Sequence, residues 1–168
     1  RKIAFLGGAI GGTKNIAAWC AVIRLLDPKQ WFFIQAGVVD RTTLSKNDLF
    51  ALQDIESDPP ENLLIFDHYL KNDSEFNELI SISDLIWGIY RDFDRSSNML
   101  SKAAYFEKTI LVTEDTLMAT RVQQYGIGLA VKQDDPHSML AGLEALEHLP
   151  ALANKFEAYR QEVSPSVV

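Results

Sequence analysis

The chain has 168 residues, of which 47% are hydrophobic and 23% are charged. This length and composition suit one compact domain with a substantial core and argue against a disordered chain. The net charge of −7 at pH 7 argues against nucleic acid or an anionic membrane as the partner, because either would be repelled on average.

Short apolar runs alternate with longer helical patterns along the chain. The runs predict strands near residues 2–7, 31–38, 62–66, 84–90, 109–113 and 128–131. Such alternation is typical of βα units around a mainly parallel sheet. The predicted fold class is α/β: a Rossmann-like three-layer αβα domain with a mainly parallel six-stranded sheet, covering residues 1–168 as a single domain.

Helices are predicted in the gaps between these strands. Thr13 is expected to cap the first helix, and Asp27-Pro28 to follow its end. Its apolar face is predicted to consist of Ile16, Cys20 and Ile23. Further helices are predicted from Leu44 to Ile55, from about Asn98, from Pro136 to about His148 and, after a break at Pro150, from Ala151 to Val163.

Cys20 is the only cysteine, which excludes an internal disulfide and a cluster of thiolate metal ligands. Its Ala-rich apolar surroundings predict a buried thiol, and we expect a reducing, cytoplasmic location. No apolar run approaches the length of a membrane span, and no signal peptide precedes the first strand. Because Arg1 is not preceded by methionine, a fragment of a longer chain is expected.

The loop after the first predicted strand is rich in glycine, and open parallel sheets bind ligands beyond the carboxyl ends of their strands. Gly11 and Gly12 would let the backbone approach a ligand closely, and Lys14 would meet a phosphate. Ala9 breaks the G-x-G-x-x-G pattern of dinucleotide-binding loops, and no G-K-[ST] follows as in a P-loop. The sequence therefore disfavours dinucleotide binding and ATP hydrolysis. A flexible turn with a solvated lysine is the alternative.

Ser96, Ser97 and Asn98 precede a predicted helix, and all three residues favour the cap position. The free N–H groups and the positive end of the helix dipole at such a start favour an anion, above all a phosphate. The alternative is that these polar side chains only cap the helix.

The loop after the fourth predicted strand contains Asp92-Phe93-Asp94, a D-x-D pattern that can chelate a divalent cation. The polar helix start that follows favours a metal-free arrangement instead, so no metal site is predicted. Arg91 and Arg95 are expected to be solvated, with pairing to Asp92 or a place near phosphate as alternatives.

The stretch from Asp94 to Val112, together with Tyr125-Gly126-Ile127-Gly128-Leu129, resembles the donor-binding C-terminal half of a retaining GT-B-fold glycosyltransferase of the group 1 type. In that family a strand ends in an acidic residue, and a glutamate lies eight positions beyond it. Asp94 takes the first position here, and Lys102 replaces the glutamate at the second.

The resemblance extends over nearly the whole chain, with Glu107 where glycine is usual and Thr109 where proline is usual. It implies a hexosyltransferase of glycan biosynthesis that uses a nucleotide-diphosphate sugar as donor, without a further cofactor. It also implies that the N-terminal, acceptor-binding domain is absent and that the isolated domain has little activity.

The resemblance also implies a site. Asp94 would touch the transferred sugar as the catalytic residue, and Tyr69 or His68 would lie at the nucleobase. The remaining donor-binding residues would be Gly11, Gly12, Lys14, Ser96, Ser97, Asn98 and Lys102.

Two other functions stay open. A nonenzymatic GT-B-like interaction module that has lost donor binding is favoured by Lys102. A receiver-type signalling domain is weaker, because it needs an acidic pair after the first strand, where this chain has glycines.

Overall fold

The computed structural model describes residues 1–70, 72–146, 148–149 and 153–162. Six strands form one sheet, in which every pairing is parallel. In chain order they are β1 (Lys2–Gly7), β2 (Trp31–Ala36), β3 (Leu63–Phe66), β4 (Leu85–Gly88), β5 (Thr109–Thr113) and β6 (Gly128–Val131). All six predicted strands are therefore present.

Seven α-helices accompany these strands in the described residues. They are α1 (Ile16–Leu25), α2 (Lys46–Ser57), α3 (Asp73–Ile82), α4 (Asn98–Tyr105), α5 (Leu117–Tyr125), α6 (Pro136–Leu146) and α7 (Ala153–Glu162). Short 3-10 turns at Gly12–Lys14 and Arg41–Thr43 precede α1 and α2. Pro150 and both predicted ends of the last helix, Ala151 and Val163, lie outside the described residues.

Helices cover both faces of the sheet, which confirms the predicted three-layer α/β class. On one face, α1, α2 and α6 close a core around Trp19, Phe33 and Trp87. On the other face, α3, α4, α5 and α7 close a core around Phe5 and Ile110. Burial on both faces explains why the strands are continuous apolar runs rather than alternating ones.

The strand order is β3-β2-β1-β4-β5-β6. The chain adds strands outward from β1 to β3, then crosses back and adds β4 to β6 on the other side. The loops after β1 and β4 therefore diverge and leave a crevice at the carboxyl ends of the strands. In open α/β sheets this switch point is the usual ligand site.

Gly37 ends β2 two residues earlier than predicted. It has a φ of +144°, and a Cβ atom at this position would overlap the carbonyl oxygen of Gly8. The Gly37 N–H donates to the Phe66 carbonyl at 3.0 Å, and the Gly8 N–H donates to the Ala36 carbonyl at 3.1 Å. The absence of a side chain thus lets the loops after β1, β2 and β3 approach one another.

The prediction that Thr13 caps α1 is wrong. Asn15 holds the N-cap position with a left-handed φ of 58°, and the helix has no side-chain cap bond. The 3-10 turn at Gly12–Lys14 separates Thr13 from the helix, and the Asn15 side chain bonds to other segments instead. The predicted apolar face is confirmed, because Ile16, Cys20 and Ile23 are all buried.

In the part of the chain that the structure describes, no helix combines the length and the apolar content needed to cross a membrane.

Candidate functional site

A cleft of about 440 Å³ opens at the carboxyl ends of β1, β2 and β3 and is bounded by α3 and the start of α4. It therefore lies at the switch point of the sheet. Its lining residues are Gly8, Ala9, Lys14, Gly37, Val38, Tyr69, Leu70, Asn72, Asp73, Phe76, Ser97, Asn98, Met99 and Lys102.

Lys14 reaches the cleft from the turn that follows the glycine loop. Its Nζ atom lies 4.2 Å from the centroid of the buried Tyr90 ring, a cation–π contact that fixes the ammonium. A Cβ atom added to Gly8 would lie 3.6 Å from the same Nζ atom, so the loop backbone and the ammonium line the same wall. Lys14 forms no ion pair with a carboxylate in the described residues.

The start of α4 forms the opposite wall. Ser97 is the N-cap, and its hydroxyl accepts a hydrogen bond of 3.1 Å from the Met99 N–H. Ser97, Asn98 and Met99 all line the cleft. The positive end of the α4 dipole therefore faces this space, as the polar helix start predicts.

Lys102 lies one turn into α4 and is the most buried charged residue in the cleft. The residue is only 7% exposed, its Nζ atom donates to Asn77 Oδ1 at 2.8 Å, and it lies 5.4 Å from the centroid of the Phe76 ring. Within the described ranges it has no ion-pair partner. A buried ammonium normally pairs with an anion, and Asn77 is neutral.

The part of the cleft beside the carboxyl end of β3 has mixed chemistry. Tyr69 is 78% exposed, and Leu70 and Phe76 provide apolar surface. Asn72 caps α3 by accepting a hydrogen bond of 2.9 Å from the Glu75 N–H. Asp73, the first residue of α3, adds a carboxylate to the lining.

A buried ion pair anchors the loops behind the cleft. Asp48 is fully buried, and its Oδ2 atom lies 3.1 Å from Nη1 of Arg91. Arg91 Nη2 also donates to Asn15 Oδ1 at 2.8 Å, and the Arg91 N–H donates to the Thr13 carbonyl at 2.8 Å. The expectation that Arg91 is solvated is therefore wrong, because Asp48 offers a desolvated carboxylate 43 residues away.

Asp48 is ionised within this network. Burial by itself raises the pKa of its carboxyl, but hydrogen bonds from the Ala17 N–H and the Arg91 guanidinium outweigh that effect, and the pKa lies below its usual range. The same carboxylate completes a capping box with Ser45 at the start of α2. One buried charge thus ties α1, α2 and the loop after β4 together.

Several predicted site residues lie elsewhere. Asp94 does not line the cleft, and its Oδ1 atom accepts a hydrogen bond of 2.8 Å from the Leu117 N–H at the start of α5. The Ser96 hydroxyl accepts from Arg121 Nη1 at 2.8 Å, on the same side as α5. The catalytic role of Asp94 and the donor-binding role of Ser96 stay predictions. The structure does not place either residue in the cleft with Lys14 and Lys102.

Gly11 and Gly12 pack against a neighbouring turn and are not among the cleft residues. The Gly12 N–H donates to the Thr43 hydroxyl at 3.1 Å, and a Cβ atom on Gly12 would lie 2.5 Å from the Thr43 carbonyl oxygen. The close backbone approach that Gly12 allows is therefore an approach to Thr43 of the same chain. His68 contacts the edge of the Phe66 ring and is also absent from the lining.

Metal ligation has no support in the arrangement of side chains. Within the described ranges, no three His, Cys, Asp or Glu residues are grouped so as to hold a metal ion. Asp92 has a φ of 50°, and its N–H donates to Gln133 Oε1 at 3.1 Å, which ties it to the loop after β6. The Asp94 carboxylate accepts a hydrogen bond from the start of α5, so the backbone of Asp92 and the side chain of Asp94 are held by different elements.

The sequence does not predict the part of the cleft that the segment after β2 and the start of α3 contribute. Gly37 and Val38 directly follow β2, and Asn72, Asp73 and Phe76 lie at the start of α3, the helix after β3. The signal that would have found them is position, because residues just beyond the carboxyl ends of β2 and β3 must share one edge of a parallel sheet with the glycine loop.

Neither protein-family models nor curated proteins match this sequence. Solved structures do. The C-terminal domain of the glycosyl transferase group 1 family protein LpcC from Francisella tularensis has 13% identity and a TM-score of 0.73, with 97% of this chain and 87% of that chain covered.

Two longer glycosyltransferases are similar as well. The one from Rickettsia africae has 14% identity and a TM-score of 0.74, with 95% of this chain and 42% of that one covered. WaaG, involved in lipopolysaccharide biosynthesis, has 13% identity and a TM-score of 0.70, with 98% and 44% covered. The chain thus spans less than half of these two proteins, and it has the fold of a C-terminal GT-B domain, as predicted.

Proposed function

We propose that this chain is the donor-binding domain of a hexosyl-type glycosyltransferase and holds a nucleotide-diphosphate sugar in the cleft between the glycine loop, α3 and α4. The observation that supports it most is Lys102, a buried ammonium with a neutral partner, in the same cleft as Lys14 and the start of α4. A diphosphate supplies the anion that these groups lack.

The diphosphate is also the leaving group of such a transfer. Negative charge grows on it as the bond to the sugar breaks, so fixed cations and N–H groups beside it stabilise the transition state more than the ground state. Lys14 is held by the Tyr90 ring and Lys102 by Asn77, so both charges are positioned before the ligand arrives. This arrangement needs no divalent cation.

Turnover is proposed to require an acceptor-binding domain as well. Proximity and orientation of the two substrates contribute much of the rate of a transfer reaction, and the cleft is proposed to hold only the donor. The isolated chain is therefore expected to bind a donor nucleotide but to transfer its sugar poorly.

The test is to replace Lys102 by methionine, which removes the charge and keeps most of the side-chain volume. Calorimetric titration with GDP and UDP should show about a tenfold or greater loss of affinity, since hydrogen bonds to charged groups contribute about 1.5–3 kcal/mol. Binding of guanosine and uridine should change little, and the loss should shrink as salt concentration rises.

Lys46→Met is the matched control, because Lys46 is an exposed lysine at the first turn of another helix, outside the cleft. It should leave diphosphate affinity unchanged. Unchanged affinity in Lys102→Met, together with tighter binding in Lys102→Glu, would contradict the phosphate role. Lys102 would then be an altered ribose position.

An interaction module without donor binding is the second candidate. It is favoured by Lys102 in place of the family's glutamate and by Asp94, whose carboxylate is engaged by the Leu117 N–H outside the cleft. Absence of binding by every nucleoside diphosphate at millimolar concentration would support it over the enzyme domain.

A further inference from the structure

Asp73 is the one carboxylate among the residues found to line the cleft. It has no hydrogen-bond or ion-pair partner in the described part of the chain, whereas the neighbouring Asn72 side chain is engaged in capping α3. Ionised carboxylates only accept hydrogen bonds, so Asp73 favours a ligand group that presents N–H or O–H donors to the cleft.

The surroundings of Asp73 suit a flat heterocycle. Val38, Leu70 and Phe76 give the cleft apolar walls, and the mostly exposed Tyr69 ring is available for stacking. Phe and Tyr surfaces of this kind commonly hold nucleobases by stacking.

The position of Asp73 along α3 fits the far end of a nucleotide. Asp73 precedes Asn77 by four residues, so both lie on one face of α3, about 6 Å apart along the helix axis. Asn77 holds the ammonium of Lys102, where the proposed diphosphate lies. Moving along α3 from Asn77 toward Asp73 therefore leads away from the proposed phosphates, and we place the ribose and then the base in this direction.

We infer that Asp73 selects guanine, so that the donor is a guanosine-diphosphate sugar; this inference rests on the proposed function. Guanine presents N1–H and the 2-amino group side by side, and a carboxylate can accept both hydrogen bonds at once. Uracil presents a single N–H flanked by two carbonyl oxygens, which an anionic carboxylate repels. In adenine the amino group lies beside N1, which is an acceptor, so this edge offers no second donor to the carboxylate.

The experiment is calorimetric titration of the chain with GDP, inosine 5′-diphosphate, UDP and ADP. GDP should bind about tenfold or more tightly than UDP and ADP, which is the discrimination that a good bidentate pair provides. Inosine diphosphate keeps N1–H but lacks the 2-amino group, so its affinity should fall between those of GDP and UDP.

Asp73→Asn should remove about tenfold of the affinity for GDP, whereas the affinity for UDP should stay the same or rise, because the charge that repels the uracil carbonyl oxygens is gone. The preference for GDP is thereby abolished. The control is Glu75→Gln, which removes the same charge from the same first turn of α3 at an exposed position outside the cleft. Glu75→Gln should keep the GDP preference. This result would show that the effect of Asp73→Asn comes from a lost contact with the base and not from the loss of one negative charge.

Other outcomes overturn the inference. Equal affinity for GDP and UDP, or a GDP preference that persists in Asp73→Asn, shows that Asp73 does not read the base. An equal loss for all four nucleotides in Asp73→Asn assigns the carboxylate to the ribose hydroxyls and also overturns the guanine assignment. In those cases donor binding itself stands, whereas absence of binding by all four nucleotides overturns the proposed function together with the inference.

Discussion

Replacing Arg91 by methionine tests the ion pair that holds the loops behind the cleft. The substitution leaves Asp48, which is fully buried, without its cation, and it deprives Asn15 Oδ1 of its donor. Removing one partner of a buried pair costs about 3–5 kcal/mol, because the remaining charge stays desolvated. That is a large part of the ~5–15 kcal/mol by which a domain is usually stable.

Urea unfolding at pH 7, followed by circular dichroism, measures this loss as a lower midpoint at a similar slope. Arg24→Met is the matched control. Arg24 forms an ion pair of 3.4 Å with Asp54, but the Asp54 side chain is 61% exposed, so its loss should cost less than about 1 kcal/mol.

The pH dependence of stability follows from the lowered pKa of Asp48. The folded-state pKa lies below the unfolded value of about 4, so the contribution of Asp48 is fully present above pH 4 and is lost as pH falls through the folded pKa. The difference between wild type and Arg91→Met should therefore be largest near neutral pH and shrink below about pH 4. A loss at pH 7 no greater than that of Arg24→Met, or one that does not shrink in acid, would refute the reasoning.

Two further predictions concern the packing around the cleft and in the core. Gly37→Ala should destabilise the fold by about 1–3 kcal/mol and weaken nucleotide binding, because the φ of +144° and the nearby Gly8 carbonyl leave no place for a methyl group. Urea unfolding measures the loss of stability, and calorimetry measures the loss of affinity. Gly11→Ala is the control and should have a milder effect, because Gly11 has a φ of −128°. Burial raises the pKa of the Cys20 thiol to about 12, so iodoacetamide at pH 8 should modify it only in urea, and rapid modification of the folded chain would contradict this.

Local pattern was sufficient to predict much of the fold. Apolar runs with βα spacing identified all six strands, since a parallel sheet covered on both faces needs continuous apolar strands. The run Ser96, Ser97 and Asn98 predicts a helix cap, and Ser97 holds that position, because capping depends on residues within one turn. Cys20 was predicted to be buried for a similar reason, since its helical neighbours share an apolar face.

The remaining features depend on residues far apart in sequence. Arg91 carries no signal of a partner 43 residues away. Asn15, and not Thr13, lies at the cap position of α1, and its side chain bonds to Arg91 and to the Gln133 carbonyl, both distant in sequence. Asp94 illustrates the same limit, because its hydrogen bond to the Leu117 N–H depends on how α5 packs beside the loop.

The most direct test of the proposed donor site is an NMR titration of the ¹⁵N-labelled chain with GDP in the presence of EDTA. Donor binding in this cleft predicts saturable shifts that are largest at the amides of Gly8, Ala9, Asn98 and Met99, all in the cleft lining. No shifts at any of these amides, or shifts that appear only when Mg²⁺ or Mn²⁺ is added and vanish in the Asp92→Asn, Asp94→Asn double variant, would contradict it.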